Sequence, residues 1–293
     1  MKALTKLVFK PIDERCYAFV RIAFACVVLI SIANLWPQRL PMFSESGLMS
    51  IDLNANGRHM SAFYFFRSDT AVTAYFLFSA TMVLLLVIGI IPRIAALCVV
   101  LWQISVSTHL AFTAYGADYV MRVYGFLVLV SPLGAYWALA RGNRKKSLVP
   151  QYGILLMRLQ LAVIYLETAL SKLPSGPWKT GDAIAIYMVS IYSQWKVNLF
   201  GDWMWLSTMA TYGAHLLELL LPFLLFYPKT RVLAIVLGIG LHAGIAITSP
   251  LLMIFSLSMI PGYLAFLDGD KIDWIARKLR LQRAPTDEVD ETA

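Results

Sequence analysis

The sequence predicts an all-α protein, a polytopic membrane bundle of about eight transmembrane helices with an amphipathic helix at its outer interface. Three observations point there. Apolar residues make up 59% of the 293-residue chain and charged residues only 14%, well under the roughly 25% of soluble domains. Uncharged runs close to the ~20 residues that cross a bilayer recur along the whole length. Basic residues gather between those runs with a one-sided bias, as membrane topology demands.

The first run covers 13–36. Lys2, Lys6 and Lys10 precede it as in a signal peptide. However, Asp13, Glu14, Arg15 and Arg21 interrupt it and no small-residue cleavage site follows, so it is expected to stay as the first span. Further runs lie at 70–91, 94–114, 118–139, 152–172, 204–227, 231–249 and 251–267. With the amino terminus inside, fifteen of the 25 lysines and arginines fall in inside segments and five (Arg39, Arg58, Arg67, Lys179, Lys196) outside. Arg15, Arg21, Arg122, Arg158 and Lys172 lie in or at the edge of spans. This bias predicts both termini in the cytoplasm. The same clustering makes the bilayer, and not nucleic acid, the partner of the +8 net charge.

Two outside segments are long. Residues 37–69 form a turn-rich loop ending in an aromatic patch. Residues 173–203 carry AIAIYMVSIYSQW, too short to span and suited to an interfacial helix or a re-entrant piece. Trp178, Trp195, Trp203 and Trp205 fit an aromatic belt. The expected domains are a transmembrane unit over 1–267 and a tail over 268–293, a cytoplasmic basic helix followed by a disordered acidic end. Cys16, Cys26 and Cys98 lie in or beside apolar runs without CxxC spacing, and buried free thiols are expected.

Ionisable residues inside spans are costly and mark candidate sites. Asp118 and Arg122, four apart, are expected to form an ion pair. Arg21 is expected to snorkel or to pair with Asp13 or Glu14. Arg158, Tyr165 and Lys172 recur every seven residues on one helical stripe, while Glu167 faces elsewhere. Arg158 and Lys172 are about 20 Å apart and belong to different sites. Lys172 either snorkels harmlessly at the outer end or stands in a half-dry pocket as a general base. His215 and Glu218 are three apart and His242 lies on the next, antiparallel span. The two histidines allow a haem reading, but no further ligand stands at metal spacing, so no metal site is expected. Gly238, Gly240 and Gly244 suggest close helix packing beside His242. Lys172, His215, Glu218 and His242 would share the outer half of the bundle beneath 173–203. Such an apolar, aromatic pocket with few titratable groups suits a quinone or a lipid.

Four stretches resemble the HTTM domain, the membrane domain shared with vitamin K-dependent gamma-carboxylases: DERCYAFVRIAFACVVL, GADYVMRVYGFLVLVSPLGAYWAL, RLQLAVIYLETALSKLPSGPWKTGDAI and LHAGIAITSPLLMIFSLSMI. They occur in the family's order and cover nearly the whole chain. The resemblance implies that Lys172 matches the lysine taken to deprotonate reduced vitamin K. It further implies that Trp178 and Gly181 match the turn after it and that His242 matches the later histidine. Carboxylase or epoxidase-like activity, with a reduced quinone as cofactor, is what such a match implies. The carboxylases carry a lumenal domain after the spans, to which nothing here corresponds. Short bacterial members, the SdpB-like proteins, are needed to mature a secreted peptide toxin.

The leading expectation is a bacterial inner-membrane protein that supports modification or maturation of an exported peptide, helped by an outer-face partner protein. It would use Lys172 and His242 as catalytic residues and Tyr165, Trp178, His215 and Glu218 to bind the cofactor. The alternatives are a non-enzymatic scaffold or transporter for a secreted partner, and a bis-histidine haem protein.

Overall fold

The computed structural model describes residues 2–48, 61–110, 114–133 and 147–278. His59 and the acidic end of the tail lie outside them. Five helical segments are long and apolar enough to cross a membrane. The first is Arg15–Phe43, made of α2 (Arg15–Leu35), a 3-10 turn and α3 (Arg39–Phe43), after a short α1 (Lys2–Val8). The others are α4 (Asp69–Ile88), α7 (Tyr152–Lys172), α10 (Met204–Phe226) and α11 (Arg231–Thr248).

The three remaining runs form weaker candidates, each for a physical reason. α5 (Pro92–His109) has 18 residues but is polar toward its end, with Gln103, Ser105, Ser107, Thr108 and His109. α6 (Gly116–Val130) stops well short of 139, because Pro132 forces Ser131 into an extended conformation at φ −77° and ψ 161°. Residues 134–139 lie outside the described residues. The last run is a rod over Pro250–Leu264, divided into α12 (Met253–Ser258) and α13 (Ile260–Leu264). Pro261, at the start of α13, has no amide to bond back into the preceding turn. A final helix, α14 (Gly269–Lys278), follows.

Within 173–203, the stretch AIAIYMVSIYSQW is helical over its first seven residues, α9 (Ala183–Val189), and a second short helix, α8 (Gly176–Thr180), precedes it. Gly181 separates them at φ 83°, a conformation L side chains rarely adopt. Past Val189 the chain is irregular, with Ile191, Trp195 and Trp203 exposed.

α2 is apolar nearly all round and takes the central place, packed on α4, α6 and α13. The Pro250–Leu264 rod lies against α2, α6, α7 and α11 and joins the two groups of helices. Phe43, Phe63, Phe76 and Trp102 interlock, with ring centroids 4.4 to 6.1 Å apart. His109 stacks on Phe43 at 5.1 Å and bonds the Met42 carbonyl at 2.8 Å, a structural histidine. Leu77, Leu84, Val163, Leu170, Phe223 and Val236 point outward and exposed. So much apolar surface needs a bilayer against it.

A two-stranded antiparallel ribbon departs from the all-α plan. β1 (Pro11–Asp13) pairs with β2 (Leu148–Pro150), Pro11 opposite Pro150. Tyr17 reinforces it, donating to the Pro150 carbonyl at 2.7 Å and accepting from the Gly153 amide at 3.0 Å.

Three local expectations are corrected. Asp118 and Arg122 form no ion pair: Asp118 accepts from the Tyr115 amide at 3.0 Å and caps α6, while Arg122 stacks over Tyr119 at 5.0 Å. The unsatisfied amides at a helix start compete well for a carboxylate three residues in. Arg21 does not snorkel; it is 1% exposed and donates to the Leu133 carbonyl at 2.9 Å. All three cysteines are free, but Cys26 is exposed and only Cys16 is buried.

The fold makes a close helix contact at Gly238. A Cβ there would lie 2.1 Å from the hydroxyl of Tyr263, which is fully buried and has no room to retreat. Gly238→Ala is expected to cost about 1–3 kcal/mol, read as a lower thermal unfolding midpoint in detergent. Gly240→Ala, with nothing within 4 Å, should leave the midpoint unchanged.

Candidate functional site

α7 and α10 run antiparallel in contact, and one face of α10 is polar at helical spacing: Ser207, Thr211, His215 and Glu218. The upper part of that face holds α8 and α9. Ser207 Oγ accepts from the Ala185 amide at 3.1 Å, Thr211 Oγ1 accepts from the Ile184 amide at 3.2 Å, and Tyr212 donates to the Lys179 carbonyl at 2.6 Å. Gly181 is required twice over, since a Cβ there would also come 2.7 Å from Thr208. The two short helices therefore cap the end of α7.

Beneath the cap, the Lys172 ammonium donates to the Glu218 carboxylate. The side chains are 18% and 9% exposed, too buried for an ordinary surface pair. Lys172 Nζ also sits 4.2 Å from the centroid of the Trp178 ring, a cation–π contact. His215 meets Trp178 edge-on at 5.8 Å and bonds the Ala169 carbonyl through Nε2 at 3.0 Å. His215 thus does not share a ligand with Glu218, as their spacing allowed; Glu218 is taken by Lys172.

Two turns deeper on α7, the Tyr165 hydroxyl bonds His242 Nε2 at 2.7 Å and also bonds the Tyr263 hydroxyl. All three side chains are buried. His242 Nδ1 is buried without a hydrogen-bond partner. Phe255 lies edge-on to the ring of His242 at 5.6 Å. Glu218 is an electrostatic neighbour of both Tyr165 and Tyr263, which links the two groups into one column. The six candidate residues all fall in it: Lys172, Glu218, Trp178 and His215 above, Tyr165 and His242 below.

Sequence reasoning missed Tyr263 and Tyr124. Both are about fully buried, and the Tyr124 hydroxyl has no partner. Tyr124 closes on Gly262, where a Cβ would lie 2.2 Å from its oxygen. The proline and glycine just before Tyr263 were the available signal. Arg158 stands apart from this column, donating to the Ala265 carbonyl at 2.8 Å, and Glu167 faces outward.

The upper pair can share a proton between an ammonium and a carboxylate, and the lower group is an imidazole bonded to a phenol that is bonded to a second phenol; no hydrogen bond among the described residues joins the two. Among the described residues no group of three or more His, Cys, Asp and Glu is arranged to hold a metal ion. Both Nε2 atoms of His215 and His242 are bonded within the bundle, so neither is turned to a shared haem iron.

The family model described as the HTTM domain matches residues 9–270. No curated protein and no solved structure matches the chain.

Proposed function

From a chain that belongs to the HTTM domain family and folds as a bundle of apolar helices, we propose an integral membrane protein that binds a quinone-like molecule beside Lys172 and supports modification or maturation of an exported peptide. In this reading α5, α6 and the Pro250–Leu264 rod complete eight crossings. Both termini are cytoplasmic, the membrane is a bacterial inner membrane, and a partner protein acts on the outer face.

The observation that carries the reading is a buried column of proton-bearing groups ending in an orphaned nitrogen, His242 Nδ1. Leaving such an atom unpaired costs about 1–3 kcal/mol, and a ligand hydroxyl or carbonyl would satisfy it. Trp178, beneath Lys172, and Phe255, beside His242, add aromatic side chains to these polar groups, the mixture a reduced quinone is held by. Trp178, His242 and Tyr165 would hold it, with His215 bracing Trp178. When bound, a reduced quinone supplies an ionisable aromatic hydroxyl and two reducing equivalents.

This chain's own residues do the rest. Lys172 must be neutral before it can accept a proton, and Glu218 is the group in contact that can take its proton first. The lysine and the glutamate together are therefore the base. Trp178 keeps the ammonium in place, and α8 and α9 exclude water, which strengthens every charge interaction beneath them. Tyr165, held by Tyr263, fixes the ring of His242 through Nε2 and leaves Nδ1 to the ligand.

Calorimetric titration of the purified protein with a soluble reduced naphthoquinone tests this. Binding should weaken about tenfold in His242→Leu, the worth of one buried hydrogen bond. Equal affinity in both proteins, or no binding to either, would sink the quinone reading. The second reading, a scaffold for a secreted partner, is favoured by one observation: Lys172 and Glu218 already satisfy each other. It expects Lys172→Arg to keep full activity.

A further inference from the structure

Arg158 lies at the other end of α7, fourteen residues from Lys172 and so about 21 Å away along the axis. Its Nε donates to the Ala265 carbonyl and its guanidinium lies 5.3 Å from the Phe266 ring centroid. Its two terminal nitrogens carry no hydrogen bond among the described residues. Arg231, the first residue of α11, is an electrostatic neighbour of Arg158, and so is Asp268. Arg231 reaches Asp268 at 3.5 Å, and Lys271 reaches its other oxygen at 3.5 Å. Arg231 and Lys271 therefore share one carboxylate that is itself 53% exposed, with Arg158 a third cation beside it. Both contacts are long for charged hydrogen bonds, which usually close to about 2.7–2.9 Å. The cluster is short of negative charge by two and has donors to spare.

We propose that Arg158, Arg231 and Lys271 bind the phosphate of an anionic phospholipid, seated where α14 meets the bundle. Planar arginine donors match phosphate oxygens in pairs. What favours a lipid over a free phosphate is the surface next to the cluster. Phe226, Tyr227, Val232 and Leu233 are exposed beside Arg231 at the junction of α10 and α11, where acyl chains would lie. α14 exposes Trp274, with Lys278 4.9 Å over its ring, an arrangement suited to the headgroup layer. Gly269 seats the start of α14 against Asp13 and Arg15, where a Cβ would come 2.8 Å from both side chains. The helix is thereby held beside the cluster, and basic pockets at helix ends are a recurring way to hold phospholipid headgroups.

The test uses the full chain, delipidated in neutral detergent. Native mass spectrometry and thermal unfolding are read with phosphatidylglycerol or phosphatidylcholine of identical acyl chains. Phosphatidylglycerol should bind about tenfold tighter and raise the unfolding midpoint further. Arg231→Gln combined with Lys271→Gln should abolish that preference while leaving the lipid-free midpoint near that of the parent. Asp268→Asn, which removes the competing carboxylate, should strengthen the preference, an outcome that a purely structural ion cluster would not give. Equal binding of the two lipids, or a preference that survives the double substitution, overturns the proposal. So does an equal midpoint shift from millimolar inorganic phosphate alone, which would make the ligand a free anion.

Discussion

Replacing Glu218 by leucine is expected to destabilise the bundle more than removing both members of its ion pair. The single change leaves the Lys172 ammonium largely out of water with only Trp178 to answer its charge. Breaking a buried pair in this way costs about 3–5 kcal/mol, whereas exchanging both partners for apolar side chains is often neutral. Glu218→Leu should therefore lower the thermal midpoint by roughly 10 °C. Lys172→Met combined with Glu218→Leu should return it to within a few degrees of the parent. A single substitution no worse than the double would mean that the ammonium swings out to water, and that the pair holds nothing together.

The double variant also serves as the folded control for chemistry. In the proposed role, with the bundle intact and no base, peptide maturation should fall by about 10²–10⁴-fold, the usual worth of a positioned general base. Lys172→Ala should lose as much. Lys172→Arg is the sharper case: arginine keeps the charge and can still reach Glu218, yet it does not give up its proton. A base predicts an arginine variant as inactive as alanine; a structural cation predicts near-parent activity. In the proposed role, maturation of an exported peptide in cells, normalised to the amount of inserted protein, separates the two.

Much of this architecture is legible in the sequence because hydrocarbon imposes a simple rule on composition. Helices α4, α7, α10 and α11 begin and end within a few residues of the apolar runs that announce them. Where the runs mislead, backbone chemistry overrules hydropathy. α6 stops at a proline that an apolar run conceals, and α9 stops at Ser190 although the apolar and aromatic residues continue to Trp195. The candidate residues were legible one by one, since a lysine, a glutamate or a histidine in a span is conspicuous. Their partners were not. Lys172 and Glu218 are 46 residues apart, and no spacing rule links them. His215 and Glu218, which a spacing rule does link, take different partners, the Ala169 carbonyl and Lys172. Tyr263, flagged only by the proline and glycine before it, was missed for another reason. A tyrosine in an apolar helix is unremarkable until the missing side chain of Gly238 lets α11 approach its hydroxyl.

The ribbon of β1 and β2 bears on how anything reaches this interior. At that end the start of α2 and the start of α7 are laced together by the strand pairing, by Tyr17, and by Gln151, whose amide donates to the Lys10 carbonyl at 3.0 Å. At the Lys172 end, α7 is followed by two helices of five and seven residues. The molecule is therefore clasped at its base and only lidded at its top. On the quinone reading proposed above, the way in lies at the Lys172 end, where α8 and α9 rest on α10 through Ser207, Thr211 and Tyr212, and the ribbon end stays shut like a hinge.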